Sequence, residues 1–355
     1  MNFIRSTFVF VFVALNCGVG LALLLGAFAQ YLSPVVFPVL SIAGLGFPFF
    51  AVANLLFLFF WLVVRPKYAL IPVAFFLIGI DAVLTYSPFG SSQEAADGKV
   101  IRVLTYNTMG MQSKKDDNGK KVIPSLEFIK RSKADIVCLQ EFPYVNQHIV
   151  RELRPVYPYV RIVTLKSDTK VACFSKTPIL SGKRIDMISP GNGAGLFYVK
   201  KDQKKIPVIV AHLESNKLNR NDKKMYESIL EDPKHQFTEQ GSKHLLSKLA
   251  SAASLRGPQA DIIAKQVETI NSPYTIVCGD FNDIPLSYTH RVIADGLQDT
   301  YREAAFGPGS TYHAHFMYFR IDHILAGQGY RILNCQIESE IDASDHYPYW
   351  CELEF

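Results

Sequence analysis

Apolar and polar positions fall into two regimes along this chain. Between residues 6 and 64 there is no Asp, Glu, Lys or Arg, and the apolar runs continue with few interruptions to residue 86. A helix needs about 20 predominantly apolar residues to cross the ~30 Å hydrocarbon core of a bilayer. Three segments meet that length, 8–31, 36–64 and 68–86, so the pattern predicts about three transmembrane helices. The middle segment is long and carries Gly44, Gly46 and Pro48, which admits a tilt, a kink or a re-entrant piece. Asp81 stands near the far end of the third segment and reads as an interfacial carboxylate.

Beyond residue 86 the pattern changes. Residues 87–99 (SPFGSSQEAADGK) are small and polar and read as a linker. From residue 100 short apolar, β-branched runs recur at 100–107, 135–142, 171–176, 196–201, 207–215, 274–282, 320–327 and 347–355, each reading as a buried strand that ends in polar residues. Helices are expected at 124–132, 146–153 and 259–270, the last starting behind Gly257-Pro258. The polar, Lys-rich stretch 214–257 reads as an irregular excursion with one or two helices. Interleaved strands and helices without a 20–50-residue repeat indicate an α/β or α+β domain. The expected organisation is an anchor over 1–86, a linker over 87–99 and a soluble domain over 100–355.

Charge adds an orientation. Of 37 basic and 32 acidic residues only Arg5, Arg65, Lys67 and Lys99, with Asp81, Glu94 and Asp97, precede residue 100. A wholly cytosolic protein is thereby excluded, and so is a polytopic transporter, because most of the chain is ordinary globular sequence. Lys and Arg mark the loops that stay in the cytoplasm. Arg5 and the Arg65-Pro66-Lys67 turn are then inside, the uncharged loop at 30–34 is outside, and everything after residue 86 is extracytoplasmic, which is periplasmic in a Gram-negative host. Reading 1–29 as a cleaved signal peptide ending in Ala27-Phe28-Ala29 places the soluble domain on the same side. Six cysteines without a C-x-x-C pair argue against zinc. Cys138, Cys173, Cys278, Cys335 and Cys351 read chiefly as small core residues, with one disulfide as the alternative.

The strand ends carry the chemistry, because they project side chains from a rigid frame into clefts. Here they deliver Asn107, Glu141, His212, Asp280 with Asn282, Asp322, and Asp345 with His346. Taken singly, each has an ordinary explanation as a turn, a cap or a solvated end. Taken as a set, oxygen ligands with a few imidazoles suit Mg²⁺ or Mn²⁺. The strings L-T-Y-N (104–107), L-Q-E (139–141), A-H-L (211–213), G-D-F-N (279–282), R-I-D-H-I-L (320–325) and S-D-H (344–346) occur in this order. Together they resemble the endonuclease/exonuclease/phosphatase superfamily, over nearly all of 100–355.

That resemblance implies a four-layered α/β sandwich of two mixed sheets flanked by helices, as in DNase I, with a divalent cation at one edge. It makes Glu141 the principal Mg²⁺ ligand beside Asn107, with Asp345 and, directly or through water, Asp280 completing the shell. It makes Asn282 the phosphate-orienting amide, His212 a phosphate-binding histidine that can protonate the leaving oxygen, and His346 a catalytic histidine paired with Asp322. The general base stays open between Asp280 and His346. This set suits in-line attack of water on a phosphoester, where charge builds on the phosphoryl oxygens, a base activates water and an acid protects the leaving group.

Of the other histidines, His148, His235, His244, His290 and His323 read as surface or core groups, while His313 and His315 precede R-I-D-H-I-L closely enough to line the cleft. Lys-rich stretches at 114–121 and 217–224 follow two site strands and could rim the site. Tethering to the bilayer favours a phosphoester on a lipid head group as substrate. The alternatives are a membrane-tethered extracytoplasmic endo/exonuclease and a catalytically inactive binding module. No protein partner is expected.

Overall fold

The computed structural model describes residues 2–355 except 97, 116–117, 144–146, 219–220, 223–238 and 315–316. Its apolar third opens with helix α1 (Asn2–Phe28), followed by a 3₁₀ segment (Leu40–Gly46) that leads into α2 (Phe47–Val64). Then come α3 (Leu70–Ile78) and α4 (Ile80–Tyr86). Among the described residues two helices are long and apolar enough to cross a membrane, over Thr7–Tyr31 and Leu40–Val64. The third expected span is instead a pair bent by 67° at Gly79, so three crossings result only if the pair counts as one. The flexure expected in the middle span takes a definite form, in which Gly44 and Gly46 lie in 3₁₀ backbone and Pro48 occupies the first turn of α2. Polar side chains knit the helices. Trp61 Nε1 donates to Asn16 Oδ1 at 3.0 Å, Asn16 Nδ2 to Asn54 Oδ1 at 3.3 Å, and Asn54 Nδ2 to the Pro72 carbonyl at 3.0 Å.

The soluble domain holds two six-stranded mixed sheets. One runs β13 (Arg331–Ile337), β14 (Tyr349–Glu354), β1 (Val100–Asn107), β4 (Ile136–Gln140), β6 (Lys170–Ser175), β5 (Tyr159–Thr164). The other runs β11 (Gln298–Asp299), β12 (Asp322–Ala326), β10 (Ile276–Asp280), β9 (Lys204–His212), β8 (Gly193–Lys201), β7 (Ile179–Ile185). A hairpin of β2 (Lys114–Lys115) and β3 (Lys121–Val122) stands apart. Each sheet has one parallel pair, β1 with β4 and β9 with β10, flanked by antiparallel neighbours.

Period-two alternation builds the layers. Ile101 and Val103 of β1, Cys138 of β4, Val208 and Val210 of β9 and Cys278 of β10 meet between the sheets. The opposite faces, including Leu104 and Val137 on one sheet and Ile209 and Val277 on the other, pack on helices. Helices α5 (Pro124–Arg131) and α6 (Gln147–Leu153) cover the first sheet, and α7 (Glu239–Ile270) with α8 (Tyr288–Ala294) covers the second. A short α9 (Thr300–Ala304) follows β11. This is the four-layered sandwich expected.

One expectation changes and one alternative falls away. The helix predicted to begin after Gly257-Pro258 runs unbroken from Glu239 through Pro258, so it replaces the distal part of the irregular excursion expected at 214–257; residues 219–220 and 223–238 of that stretch, His235 among them, and Asn146 at the head of α6 lie outside the described residues. Proline removes one backbone donor, and Ala250, Ala253, Ala260 and Ile263, buried on both sides of it, hold the helix in line. The six cysteines are all free, so the disulfide alternative is not realised.

The soluble domain is docked on the helices. Ser254 Oγ of α7 donates to the Pro34 carbonyl at 2.8 Å, and the Arg291 guanidinium lies 4.5 Å over the Tyr31 ring. Arg320 donates to the carbonyls of Thr85, at 2.7 Å, and Pro308. Arg302 donates to Thr85 Oγ1 at 2.9 Å and pairs with Asp81 at 2.8 Å. The expected linker is likewise pinned, with Pro88 O accepting from Gly307 N–H at 2.9 Å and Gln93 N–H donating to Leu333 O at 2.6 Å.

Candidate active site

The register that builds the inter-sheet core also builds the site. Continuing the inner-face alternation by two residues past Cys138, Val210 and Cys278 gives Gln140, His212 and Asp280, and past Val103 it gives Thr105 and then Asn107. The parallel pairs end together, Asn107 opposite Gln140 and Asp280 opposite His212, while antiparallel β12 begins at Asp322 opposite Asp280. Polar groups therefore collect at one edge of the sandwich. Thr105 and Gln140, bonded to each other at 3.1 Å, separate them from the apolar core below.

Gly279 explains the glycine of G-D-F-N. It has φ +134°, and a Cβ there would stand 2.0 Å from the Ala211 carbonyl oxygen of the neighbouring strand. Glu141 and Asn282, just past the ends of β4 and β10, also sit in the left-handed region with φ 49° and 53°. Backbone of this kind costs about 1–3 kcal/mol per residue and concentrates at functional sites.

All eight predicted residues come together. Asn107 Nδ2 donates to Glu141 Oε1 at 3.2 Å and Asp280 Oδ2 at 3.0 Å. His212 Nε2 lies 3.6 Å from Glu141 Oε1 and 3.8 Å from Asp280 Oδ2. His346 Nε2 lies 3.7 Å from the same Asp280 oxygen, while its Nδ1 is bonded to Asp322 Oδ2 at 2.7 Å. Asn282 N–H donates to Asp280 Oδ1 at 2.8 Å, and its Nδ2 to the Leu213 carbonyl at 3.0 Å. Ser344 Oγ donates to the Asn107 carbonyl at 2.8 Å and accepts from His346 N–H at 3.2 Å, which locks S-D-H onto the end of β1.

Glu141, His212, Asp280, Asn282, Asp345 and His346 line one cavity of about 450 Å³. Asn107 and Asp322 are buried behind them. The Asn107 Oδ1 accepts from Met109 N–H at 3.2 Å, so the side chain turns its amide donor, rather than its oxygen, towards the carboxylates.

Burial pushes Asp280 up to about 6, against the pull of His346 and His212. Burial also works against a charged His346, but Asp322 and Asp280 outweigh it and hold the imidazolium up to about 10. His212 is held below its ordinary value by burial, with Asp280 opposing. The cluster thus offers one charged and one neutral imidazole on either side of a carboxylate, the separation that acid–base chemistry at neutral pH requires.

Asp280, Asp322 and His346 present ligand atoms within 4.8 Å of one another and could hold a metal ion. Asp322 is, however, already bonded to His346 Nδ1 at 2.7 Å. Glu141 is different, with its side chain 41% exposed. Together with Asp345 on the same cavity wall it supplies the anionic oxygen donors that hard divalent cations prefer. The donor set fits such an ion.

The sequence reading missed several contributors. Arg256 of α7 is buried yet lines the cavity, bonding Asp283 at 3.0 Å, Asn216 at 2.8 Å and the Glu214 carbonyl at 3.1 Å, so it ties together the loops that follow β9 and β10. Tyr312 sets its ring edge on His346, centroids 5.1 Å apart. Asp283, directly after G-D-F-N, was the one with a sequence signal. His313 does not line the cavity but stacks on Tyr347 at 3.7 Å, and His315 lies outside the described residues. His290 and His323 are core groups as expected. Among the described residues of the Lys-rich stretches, Lys217 and Leu218 line the cavity, while Lys114 donates to the Asp342 carbonyl at 2.6 Å.

A four-layered sandwich with carboxylates, imidazoles and an amide gathered at one edge defines a hydrolase of phosphoesters by architecture and chemistry. Residues 104–346 match the profile of the Endonuclease/Exonuclease/phosphatase family, and the chain belongs to that family. Residues 8–86 match a domain of unknown function. No curated protein matches the chain significantly in sequence. Among solved structures, an endonuclease/exonuclease/phosphatase family protein from Bacteroides thetaiotaomicron is 14% identical, covering 74% of this chain and 97% of its own, with a TM-score of 0.50. The 3′ phosphatase NExo from Neisseria, solved with a product DNA hairpin, is 16% identical, covering 72% of this chain and 100% of its own, also with a TM-score of 0.50.

Proposed function

We propose that this protein is a multi-pass membrane phosphodiesterase, dependent on Mg²⁺ or Mn²⁺, that hydrolyses phosphoesters of lipid head groups at the extracytoplasmic membrane surface. The observation that carries the reading is the composition of the catalytic cavity. Ser41, Ile42, Gly44, Leu45 and Phe49, all from the apolar N-terminal third, line the same space as Glu141, Asp280 and His346. A nucleic acid gains nothing from such a wall, and among the described residues the Lys-rich β2–β3 hairpin contributes no side chain to the cavity lining. The inactive-module alternative loses ground because every catalytic position is filled and assembled.

Glu141 and Asp345 would hold the cation, with Asn107 fixing the Glu141 carboxylate. The ion supplies Lewis-acid neutralisation of charge on the phosphoryl oxygens. Asp280, raised by burial against the pull of His346 and His212, takes the proton of the attacking water. His346, kept charged by Asp322, donates towards the developing negative charge, and neutral His212 and the Asn282 amide bind and orient the phosphoryl group.

Docking supports the orientation. The 3₁₀ segment and the end of α4 both meet the soluble domain, whereas Arg65 and Lys67 follow α2, whose 18 residues span about 27 Å. Basic termini on one side and the catalytic domain on the other require an odd number of crossings, with the bent α3–α4 pair completing the third.

The test is a side-by-side assay of the full chain in nanodiscs on sphingomyelin, phosphoinositides, plasmid DNA and RNA, with and without Mg²⁺. Metal-dependent turnover of a lipid phosphoester above either nucleic acid is the expected result. Preferred cleavage of DNA or RNA would overturn the lipid reading in favour of a tethered nuclease.

A further inference from the structure

We propose that the 3₁₀ segment Leu40–Gly46 and helix α7 form a binding groove for one hydrocarbon chain of the substrate, leading from the bilayer to the phosphoester site. This rests on the hydrolase reading above and adds the part of the substrate that the catalytic groups do not touch.

The cavity that holds the catalytic groups is lined as well by Ile42, Leu45 and Phe49 from the apolar N-terminal block and by Leu245, Leu249 and Phe319 from the soluble domain. Phe49 belongs to α2 within the candidate span Leu40–Val64 and is 67% exposed. The wall is therefore continuous with surface that faces lipid. An apolar wall open to water and ending at a set of charged side chains has no structural purpose, whereas a molecule with an ionic head and an alkyl tail satisfies both ends.

The groove is built rather than incidental. Ile42 packs against Ala250 and Ala253 of α7, with Leu45 and Leu249 beside them. On the other side Ile284 and Leu286, from the loop after β10, pack with Leu23, Ala27 and Phe47. A Cβ on Gly44 would lie 2.5 Å from the Leu286 carbonyl oxygen, so glycine is what lets the segment close on this loop. That loop begins immediately after Asn282 and Asp283. A chain seated against Ile42 and Leu249 thus has its head directed to the catalytic groups by backbone that carries both surfaces.

The experiment uses a homologous series of p-nitrophenyl alkyl phosphates, methyl to hexyl, all water-soluble, with the full chain in phosphatidylcholine nanodiscs and Mg²⁺. Burial of each methylene is worth at most about fourfold in binding. The kcat/KM of the native chain is expected to climb along the series, with hexyl exceeding methyl by at least tenfold. Leu45→Trp and Leu249→Trp each add bulk to the groove, one from each of the two segments that line it, and either should bring the hexyl-to-methyl ratio close to one, with folding checked by thermal unfolding. A flat series with clear turnover would overturn the chain groove while leaving the hydrolase reading intact. A slope unchanged in both folded tryptophan variants would also overturn it, since the chain would then bind elsewhere. Absence of turnover for every homologue would remove the hydrolase reading, and the groove with it.

Discussion

Asp322→Asn separates the two roles that the Asp280, Asp322, His346 cluster can play. Asp322 is fully buried and its Oδ2 meets His346 Nδ1 at 2.7 Å. Its backbone N–H donates to Thr311 Oγ1 at 3.0 Å, which fixes the position of any residue placed there. Asparagine keeps the shape and removes the charge. A hydrogen bond to a charged group contributes about 1.5–3 kcal/mol and a neutral one about 0.5–1.5 kcal/mol, so the bond alone accounts for about 1–2 kcal/mol, or roughly tenfold in rate. The amide also no longer dictates which imidazole nitrogen carries the proton, and loss of a positioned acid or base costs about 10²–10⁴-fold. The expected kcat is therefore lower by about 10²–10⁴. The assay is hydrolysis of bis(p-nitrophenyl) phosphate by the full chain across a Mg²⁺ titration. If Asp322 orients His346, kcat falls while the Mg²⁺ concentration for half-maximal rate stays within about threefold. A variant whose rate is restored by tenfold more Mg²⁺ would make Asp322 a metal ligand and refute the pairing, and a kcat within threefold of the native value would refute any catalytic part for it.

Four further outcomes are expected. Glu141→Gln should fold, with a thermal transition within a few degrees of the native protein, and lose nearly all turnover, because an amide cannot supply the anionic oxygen; full activity in EDTA would contradict this. Alanine at His212 or His346 should each cost about 10²–10⁴-fold in kcat, and the double variant should lose less than the product if both act on one transition state; native kcat in either single variant would make that histidine structural. Gly44→Ala should destabilise the docked state by about 1–3 kcal/mol through the clash with the Leu286 carbonyl, seen as a lowered Tm of the full chain; an unchanged Tm would show that the segment is not held there. Alkaline phosphatase fused after Phe355 should be active, since that reporter works only after export; good expression of an inactive fusion would reverse the orientation.

What the sequence made legible follows from burial. The eight strands expected are β1, β4, β6 and β14 of one sheet and β8, β9, β10 and β12 of the other, the interior strands of both. The four missed in the sheets, β5, β7, β11 and β13, are the edges. Strand β7 is exposed at every position between Ile179 and Ile185, and β5 buries only Val163, so neither presents an apolar run to read. The site was legible because its residues continue strands that are themselves conspicuous, and because six short strings keep their order. Arg256 was not, since nothing local distinguishes it from the basic residues around it. It becomes part of the site only when α7 lays it across the loops at Glu214 and Asp283. The contribution of Ile42 and Leu45 lay further out of reach, because only the tertiary fold brings them beside cavity residues some 100 to 300 positions away.

The docking also changes what the membrane segment means for the enzyme. A free linker of about a dozen residues would let the domain roam some 40 Å from the bilayer and would act only by raising local concentration. Here Phe89 packs on Phe306 at 5.6 Å, Ser92 bonds Asn334 at 3.1 Å, and Arg302 and Arg320 grip Asp81 and Thr85. The domain is held against the apolar helices, and residues of that apolar block also line the candidate catalytic cavity. On the proposed function, a reaction performed there would depend on the anchor for shape as well as for address, because Ser41, Ile42, Gly44, Leu45 and Phe49 line the same cavity as Glu141, Asp280 and His346.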